Sequence, residues 1–403
     1  LAEAEVEYHD HTSDAIFVAF PIVKPSVDTL RNTYAVIWTT TPWTLPGNRA
    51  IAYGCDHAYT VIEVLTGTEL LPNGMRLLIA KDLVTDVVTA LSIENYGIIG
   101  HVNGENLKGT ICHHPWHGKG YDFDVPMLPG EHVTTDAGTG LVHTAPGHGI
   151  EDFAVGQEFG IEVPETVQGD GVYYAHVPLF AGKHIFKVGS DVLAALKEVG
   201  AMLQATKLVH SYPHSWRSKA PLIYRATSQW FISMDTNDLR KKAMQEIDKV
   251  EWFPATGKNR ISAMVTNRPD WCLSRQRTWG VPITVFVHKA TGEALRDETV
   301  HQRIVDAIVK EGIAAWRKYD NAYFLGNDYS SDDFEKATDI LDVWFDSACT
   351  HVFTLEDAAD MGWPADMYFE GSDQHRGWFQ TSLLQSCGTR GRAPFRQVVT
   401  HGF

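Results

Sequence analysis

Cysteine is scarce in this sequence: five in 403 residues, at 55, 112, 272, 349 and 387, none in a C-x-x-C pair. An odd, scattered count excludes a disulfide-stapled scaffold and a standard zinc finger. It fits a reducing compartment, so a cytoplasmic location is expected. Long apolar runs are missing too. No stretch approaches the ~18 residues that a membrane helix needs, and no signal-peptide pattern opens the chain, so no membrane partner is expected. Internal repeats and low-complexity tracts are absent. Positive charge is in deficit, with 34 Lys and Arg against 50 Asp and Glu and a net charge of −16. That balance argues against a polyanion meeting the whole surface, but it is uneven. Residues 211–290 hold 13 Lys and Arg against 6 Asp and Glu, and the remainder holds 21 against 44. One basic stretch on an acidic body is compatible with nucleic acid contacting that stretch alone, and equally with an ordinary solvated face.

What is present is a globular composition, 44% hydrophobic with 33 glycines and 18 prolines, long enough for two or three cores. Leu1 and Phe403, the latter directly after the strand-like RQVVT, read as cut ends, and an internal piece of a longer protein is expected. VEYHDH and AIFVAF read as extended. From about 21 to 205 short strands alternate with turns: YAVIWTT, AYTVIEVL, RLLIA and GLVHTA. Two helices interrupt them, KDLVTDVVTALSI and SDVLAALKEVGAML, the second with Val192, Leu196, Val199 and Leu203 at helical spacing and Ser190 as its N-cap. This strand-rich block predicts a compact barrel-like or mixed domain. After the linker-like SYPHSWRSKAP, TNDLRKKAMQEIDKV reads as a capped amphipathic helix with Leu239, Ala243 and Ile247 on one face. A basic aromatic segment, NRPDWCLSRQRTWGVPI, follows, then the surface-like helix ETVHQRIVDAIVKEGIAAWRK. The end alternates strand and helix (ILDVWFDS, MYFEGSDQHRGWFQTSLLQSC, RQVVTHGF), the texture of a parallel sheet with ligand loops at strand ends.

Three stretches hold candidate chemistry. WTTTPWTLPGN, residues 38–48, leaves a buried strand through three hydroxyls, Thr39, Thr40 and Thr41, stiffened by two prolines. DAGTGLVHTAPGHGIEDF delivers His143 on a short strand and Asp152 after a glycine-rich turn, where backbone approaches a ligand closely. Hydroxyls, an imidazole and a carboxylate are the parts of a hydrolytic or polar-recognition site, although Thr is common in strands and one His with one Asp proves nothing alone. An internal Thr does not support a threonine nucleophile. In FEGSDQHRGWF a strand ends at Glu370 and Gly371 and a helix begins near Trp378, an arrangement that receives anions and nucleotides. DVWFDS adds Trp344 as an aromatic wall or as part of a plain core strand. ICHHPWH (Cys112, His113, His114, His117) is superficially zinc-like but lacks a second ligand pair, and Ser215 and Ser218 hold C-x-x-C spacing without thiols, so no metal site is expected.

Taken in order, TTTPWTLPGN, WCLSRQRTWGVPI and EGSDQHRGWF resemble the class I isoleucyl-tRNA synthetases, and the resemblance spans essentially the whole chain. The valyl and leucyl enzymes differ at the first motif, with Arg usual in place of Thr41. The resemblance implies an α/β fold in which a β-rich, barrel-like editing domain is inserted into a parallel-sheet, Rossmann-type catalytic domain. Residues 1–20 would connect from the catalytic domain, 21–208 form the editing domain, and 209–284 return to the catalytic domain. A helical connective insertion would span 285–338, and 339–403 the incomplete C-terminal part. The HIGH and KMSKS motifs would lie outside the sequence, leaving isoleucine activation incomplete.

On this resemblance Thr39, Thr40, Thr41, His143 and Asp152 are the catalytic residues of hydrolytic editing, with Trp43 and Asn48 binding the editing substrate. Trp344, Glu370, Gly371, Asp373, Gln374 and Trp378 surround an aminoacyl adenylate. The implied partners are tRNA(Ile) with valine and isoleucine as esters or adenylates. Editing would need no cofactor, the full-length enzyme would use ATP and Mg2+, and the protein would be a monomer. Cys at positions 215 and 218 in many relatives, and Gly at 348, are departures here. The second puts the local shape of the synthetic pocket in question. Two other readings stay open: a catalytically inactive tRNA-binding fragment docking through 268–279, and a metal hydrolase using Cys112 and its neighbouring histidines.

Overall fold

The computed structural model describes residues 6–402. The chain divides into two compact units, Leu1–Thr227 and Ser228–Phe403. The boundaries expected at 20/21 and 208/209 fall inside two long strands of the first unit.

Those strands are β1 (Val6–Lys24) and β10 (Met202–Ser215). Between them come β2 (Thr33–Thr39), β3 (Ala50–Tyr53), β4 (Ala58–Thr66), β5 (Arg76–Ala80), α1 (Val84–Ala90), β6 (Asn95–Asn103), β7 (Ile111–His113), β8 (Asp124–Pro129), β9 (Leu141–Thr144), α2 (Ile150–Glu158) and α3 (Gly189–Glu198). The sequence reading of two extended segments at the start is corrected to one strand. β1 runs for 19 residues because it has successive partners: β10 along Val6–Val18, β2 along Ile16–Pro21, and β7 at Ile22 and Lys24. The sheet order is β6-β4-β5-β2-β1-β7-β8-β3-β9, with β10 also on β1.

The expected barrel is corrected to an open sheet, since β6 and β9 end the hydrogen-bonded path. The sheet nevertheless curls. Ala80 N–H at the end of β5 donates to Thr139 O at 2.8 Å, and the Tyr59 hydroxyl donates to Gly140 O at 2.8 Å. Gly140 has φ +71°, and a Cβ there would stand 2.3 Å from that of Ala80, so only glycine lets the start of β9 come this close. Apolar residues of β1, β2, β4 and β5 fill the core with Trp116, Phe180 and the Val192–Leu196 face of α3. Ser190 lies inside α3 rather than capping it; Val188 holds the N-cap position.

In the second unit, β11 (Phe231–Ile232) precedes α4 (Leu239–Lys249), β12 (Glu251–Phe253), α5 (Thr256–Thr266), β13 (Trp271–Cys272), β14 (Ser274–Arg275) and β15 (Phe286–His288). Then follow α6 (Glu298–Glu311), α7 (Ala315–Lys318), α8 (Asn321–Leu325), β16 (Phe334–Lys336), β17 (Ile340–Leu341), α9 (Val343–Ala348), β18 (Ala365–Gly371), α10 (Trp378–Arg390) and β19 (Phe395–His401). A three-stranded parallel sheet, β12-β19-β18, is packed by α4, α5 and α10 through Leu239, Ala243, Ile247, Ile261 and Leu383. Residues 286–336 hold a separate small core of Phe286, Val300, Ile304, Trp316 and Phe324. α6 is therefore not simply a surface helix. The whole is mixed α/β, and among the described residues no helix is long and apolar enough to cross a membrane.

Candidate active site

β2 ends at Thr39, still paired with Ile16 of β1, and Pro42 starts a 3-10 turn, Pro42–Gly47. A proline at the first helical position has its φ set in advance. The turn holds the hydroxyls in a fixed set. Thr39 Oγ1 accepts Thr41 N–H at 3.1 Å and stands 3.2 Å from Thr41 Oγ1, and the Thr44 hydroxyl donates to Thr41 O at 2.8 Å.

β9 runs antiparallel to β3 and brings His143 opposite this turn. Both ring nitrogens are in use. Nδ1 accepts from Asn48 Nδ2 at 2.8 Å, and Nε2 donates to Thr44 Oγ1 at 3.0 Å. Asn48 also donates to Ala50 O at 2.9 Å, which orients its amide. The result is a one-way donor chain from Asn48 through His143 and Thr44 to the Thr41 carbonyl. Burial, reinforced by His148 nearby, pulls the His143 pKa down to about 3. The imidazole is neutral, with both nitrogens engaged, and holds Thr44 through Nε2.

Asp152 sits in the first turn of α2, where the helix N-terminus favours a carboxylate. Its Oδ2 accepts Ala145 N–H at 2.9 Å, and among the described residues Oδ1 makes no hydrogen bond. Burial raises its pKa, partly opposed by the Ala145 N–H. A cavity of about 300 Å³ lies between these parts, with Thr39, Thr40, Thr41 and Thr44 on one side and His143, His148, Glu151 and Asp152 on the other.

The structure does not bring every expected residue to this cavity. Asn48 is fully buried behind His143, and its Oδ1 has no partner. Trp43 faces a neighbouring recess and meets His148 edge-on, with ring centroids 5.1 Å apart. Cys112 and His114 belong to the core, His114 Nε2 donating to Leu45 O at 3.0 Å. Among the described residues, no group of three or more His, Cys, Asp or Glu is placed to hold a metal ion.

In the second unit β18 ends at Gly371 and α10 starts at Trp378, as the sequence predicts. Gln374 Oε1 accepts Trp378 N–H at 3.0 Å and so caps the helix, while its Nε2 donates to Asp373 Oδ2 at 3.0 Å. The Trp378 ring stacks on Tyr368 at 4.1 Å, and its Nε1–H reaches Ser347 O at 3.0 Å. Trp344, half-exposed on α9, lies over Gly377, where a Cβ would come within 2.7 Å of the indole. Glu370 and Asp373 are exposed beside this turn. DVWFDS is helical rather than the expected strand, because Asp342 accepts Trp344 N–H at 3.2 Å and starts α9.

The profile of the tRNA synthetases class I (I, L, M and V) matches residues 1–403. The chain belongs to the class I tRNA synthetases. Curated relatives include the isoleucine–tRNA ligase of Pelagibacter ubique, 51% identical over 403 residues, and that of Gluconobacter oxydans, 51% identical over 420. Each alignment covers 100% of this chain and 44% of the relative, so the chain spans less than half the length of the curated proteins it matches. A solved structure titled "The crystal structure of GlLeuRS-CP1" is 12% identical and covers 48% of this chain and 98% of that one. Its TM-score of 0.38 is too low for any argument to rest on it.

Within this synthetase chain, sequence reasoning missed Thr44, His148 and Glu151 as cavity residues. Thr44 was legible as the hydroxyl one turn beyond Thr41, inside the same proline-bounded segment. His148 was visible in PGHG, but its bonds to Thr166 Oγ1 (2.6 Å) and Tyr224 O (3.0 Å) join segments far apart in sequence.

Proposed function

We propose that this chain is part of an isoleucine–tRNA ligase and that its first unit hydrolyses valine wrongly esterified to tRNA(Ile). The observation that carries this reading is the pairing, across one small cavity, of a buried carboxylate with a fixed array of threonine hydroxyls. Asp152 Oδ1 holds the α-ammonium of the esterified amino acid. Burial raises the pKa of this carboxylate, and a cation placed against Oδ1 lowers it again. Thr39, Thr40 and Thr41 orient the ester and a water molecule. The water attacks the ester carbonyl, the bond to the ribose oxygen breaks, and valine and free tRNA leave without a covalent enzyme intermediate.

Thr41 and His143 set the width that excludes isoleucine. A second, smaller site is needed because one methylene supplies only ~1–3 kcal/mol of discrimination, a known limit of isoleucine-selecting synthetases. Around the second unit's turn, Trp344, Glu370, Gly371, Asp373, Gln374 and Trp378 flank an aminoacyl adenylate. Neither a HIGH nor a KMSKS string occurs in the 403 residues, so ATP- and Mg2+-dependent activation is a property of the longer enzyme, a cytoplasmic monomer on this reading.

A second reading, an RNA-binding piece without activity, draws on the basic segment 268–279, whose Trp279 is 92% exposed. Hydrolysis of valyl-tRNA(Ile) and isoleucyl-tRNA(Ile) by this chain, with Asp152→Ala as control, separates the two. Selective loss of valine, abolished by the substitution, supports editing. Hydrolysis of neither, or hydrolysis that survives the substitution, sinks it.

A further inference from the structure

α2 is entered through the loop 145–149, sequence APGHG, and both ends of that loop hold Asp152. At one end Ala145 N–H donates to Asp152 Oδ2 at 2.9 Å. At the other, Gly149 is the N-cap of α2, and its carbonyl accepts Phe153 N–H at 2.9 Å. A Cβ on Gly149 would stand 2.9 Å from the same Oδ2. Any shift of this loop therefore moves the donor and the helix start that aim the carboxylate into the cavity. The helix itself is lightly anchored: of its nine residues only Val155 and Gly156 are buried, and no side chain caps its N-terminus.

The loop is tied instead by chain that follows β10. Ile223 packs on the core of the first unit, and Ala226 N–H donates to Gly147 O at 2.8 Å. His148 completes the tie. Its Nδ1 lies 3.0 Å from Tyr224 O, a carbonyl that only accepts, so Nδ1 carries the proton. Nε2 then accepts the hydroxyl of buried Thr166 at 2.6 Å. Burial, helped by Arg225 and opposed by the Tyr224 carbonyl, lowers the pKa of His148 and keeps the ring neutral at pH 7. With both nitrogens engaged, the ring lines the cavity but offers a ligand no free hydrogen-bonding group.

We propose that His148 is a positioning residue for recognition of the α-ammonium: by latching the 145–149 loop to Thr166 and Tyr224, it sets where Asp152 stands relative to the threonine hydroxyls. The inference rests on the editing reading and adds to it a residue that acts through Asp152. An α-amino ester has to present its carbonyl to the hydroxyls and its ammonium to the carboxylate at once, so the separation of those two groups selects it. A misplacement of about 1 Å costs such a two-point fit up to about a hundredfold. The hydroxyls stand on a turn braced by prolines, whereas the carboxylate stands on a thinly packed helix. The latch supplies the rigidity that this helix lacks.

The test compares kcat/KM for valyl-tRNA(Ile) with that for its deaminated counterpart, 2-hydroxyisovaleryl-tRNA(Ile), which keeps the ester and lacks the ammonium. Their ratio reads the ammonium contact, and a merely structural loss lowers both terms together. His148→Phe keeps a ring against Trp43 and loses both hydrogen bonds. It is expected to lower the ratio about tenfold, in the direction of Asp152→Ala. Thr166→Val removes one of the two bonds, should lower the ratio less, and carries the test if His148→Phe does not fold. His148→Asn, whose amide still donates towards Tyr224 O, should recover part of the loss. Equal losses on both esters, or a ratio within about twofold of the parent, overturn the proposal. Hydrogen exchange of residues 145–153 by mass spectrometry keeps the two readings apart. If the parent hydrolyses neither ester, the editing reading falls and exchange decides on the latch. Exchange about tenfold faster in His148→Phe supports it, and exchange within about twofold of the parent overturns it.

Discussion

Asn48→Ala tests the donor chain behind the cavity most directly. The side chain is fully buried, and its Nδ2 supplies Ala50 O at 2.9 Å and His143 Nδ1 at 2.8 Å. Truncation leaves two buried acceptors short of a donor, at about 1–3 kcal/mol each. Against that, Asn48 Oδ1 is itself buried without a partner, and removing it returns about 1 kcal/mol. The net expectation is a loss of about 1–5 kcal/mol for the first unit, or roughly 2–20 °C in melting temperature for a unit of this size. Function should change in a specific way. With Nδ1 unsatisfied, His143 is free to rotate, Thr44 loses its fixed donor, and the wall proposed to exclude isoleucine softens. Urea unfolding followed by circular dichroism measures the first effect, and the ratio of valyl- to isoleucyl-tRNA hydrolysis the second. A stability change below about 1 kcal/mol together with an unchanged ratio would refute the chain as the element that holds the wall.

Acid should weaken the first unit well above the carboxylate range. Burial holds His143 and His114 at about 3, so the unfolded chain binds two protons that the folded one refuses. Their contribution is complete above pH ~6.5 and falls as pH drops towards 3, by about 2–3 kcal/mol between pH 7 and 5.5. A flat urea midpoint over that interval contradicts the assignment. Gly280→Ala should destabilise the second unit by about 2 kcal/mol or more, because φ is +150° and a Cβ would stand 2.4 Å from Ile340 Cδ1. An unshifted midpoint would show that the turn relaxes freely. Trp279→Ala, by contrast, should leave stability within about 0.5 kcal/mol, since the ring is 92% exposed. If that substitution lowers the melting temperature by many degrees, the ring is packed rather than presented.

What could be read from the sequence was local. YAVIWTT ending in hydroxyls, LVHTA carrying His143, and a strand giving way to a helix near Trp378 all express periodicities of two or 3.6 interrupted by Gly and Pro, and the structure keeps them. What could not be read depends on partners distant in the chain. The 19-residue length of β1 comes from three neighbours reached in turn. ILDVWFDS has a strand's composition, yet one capping carboxylate, Asp342, turns most of it into helix. α6 looked like a solvent-facing helix, but Val300, Ile304 and Ala307 form a stripe that a local core of aromatic residues covers. The contact of His11 with Tyr212, ring centroids 4.8 Å apart, was illegible for the same reason, since the two meet across the β1–β10 pairing.

That pairing has a topological consequence. Val6 stands opposite Ser215 in the ladder, so more than 200 residues of chain depart and return as hydrogen-bonded neighbours. Facing residues of an antiparallel pair lie only ~5 Å apart, a gap that a tight turn can close. Seen from the rest of the polypeptide, everything between is one lengthened hairpin. The spacing of its two ends is set by that ladder and not by the length of chain between them.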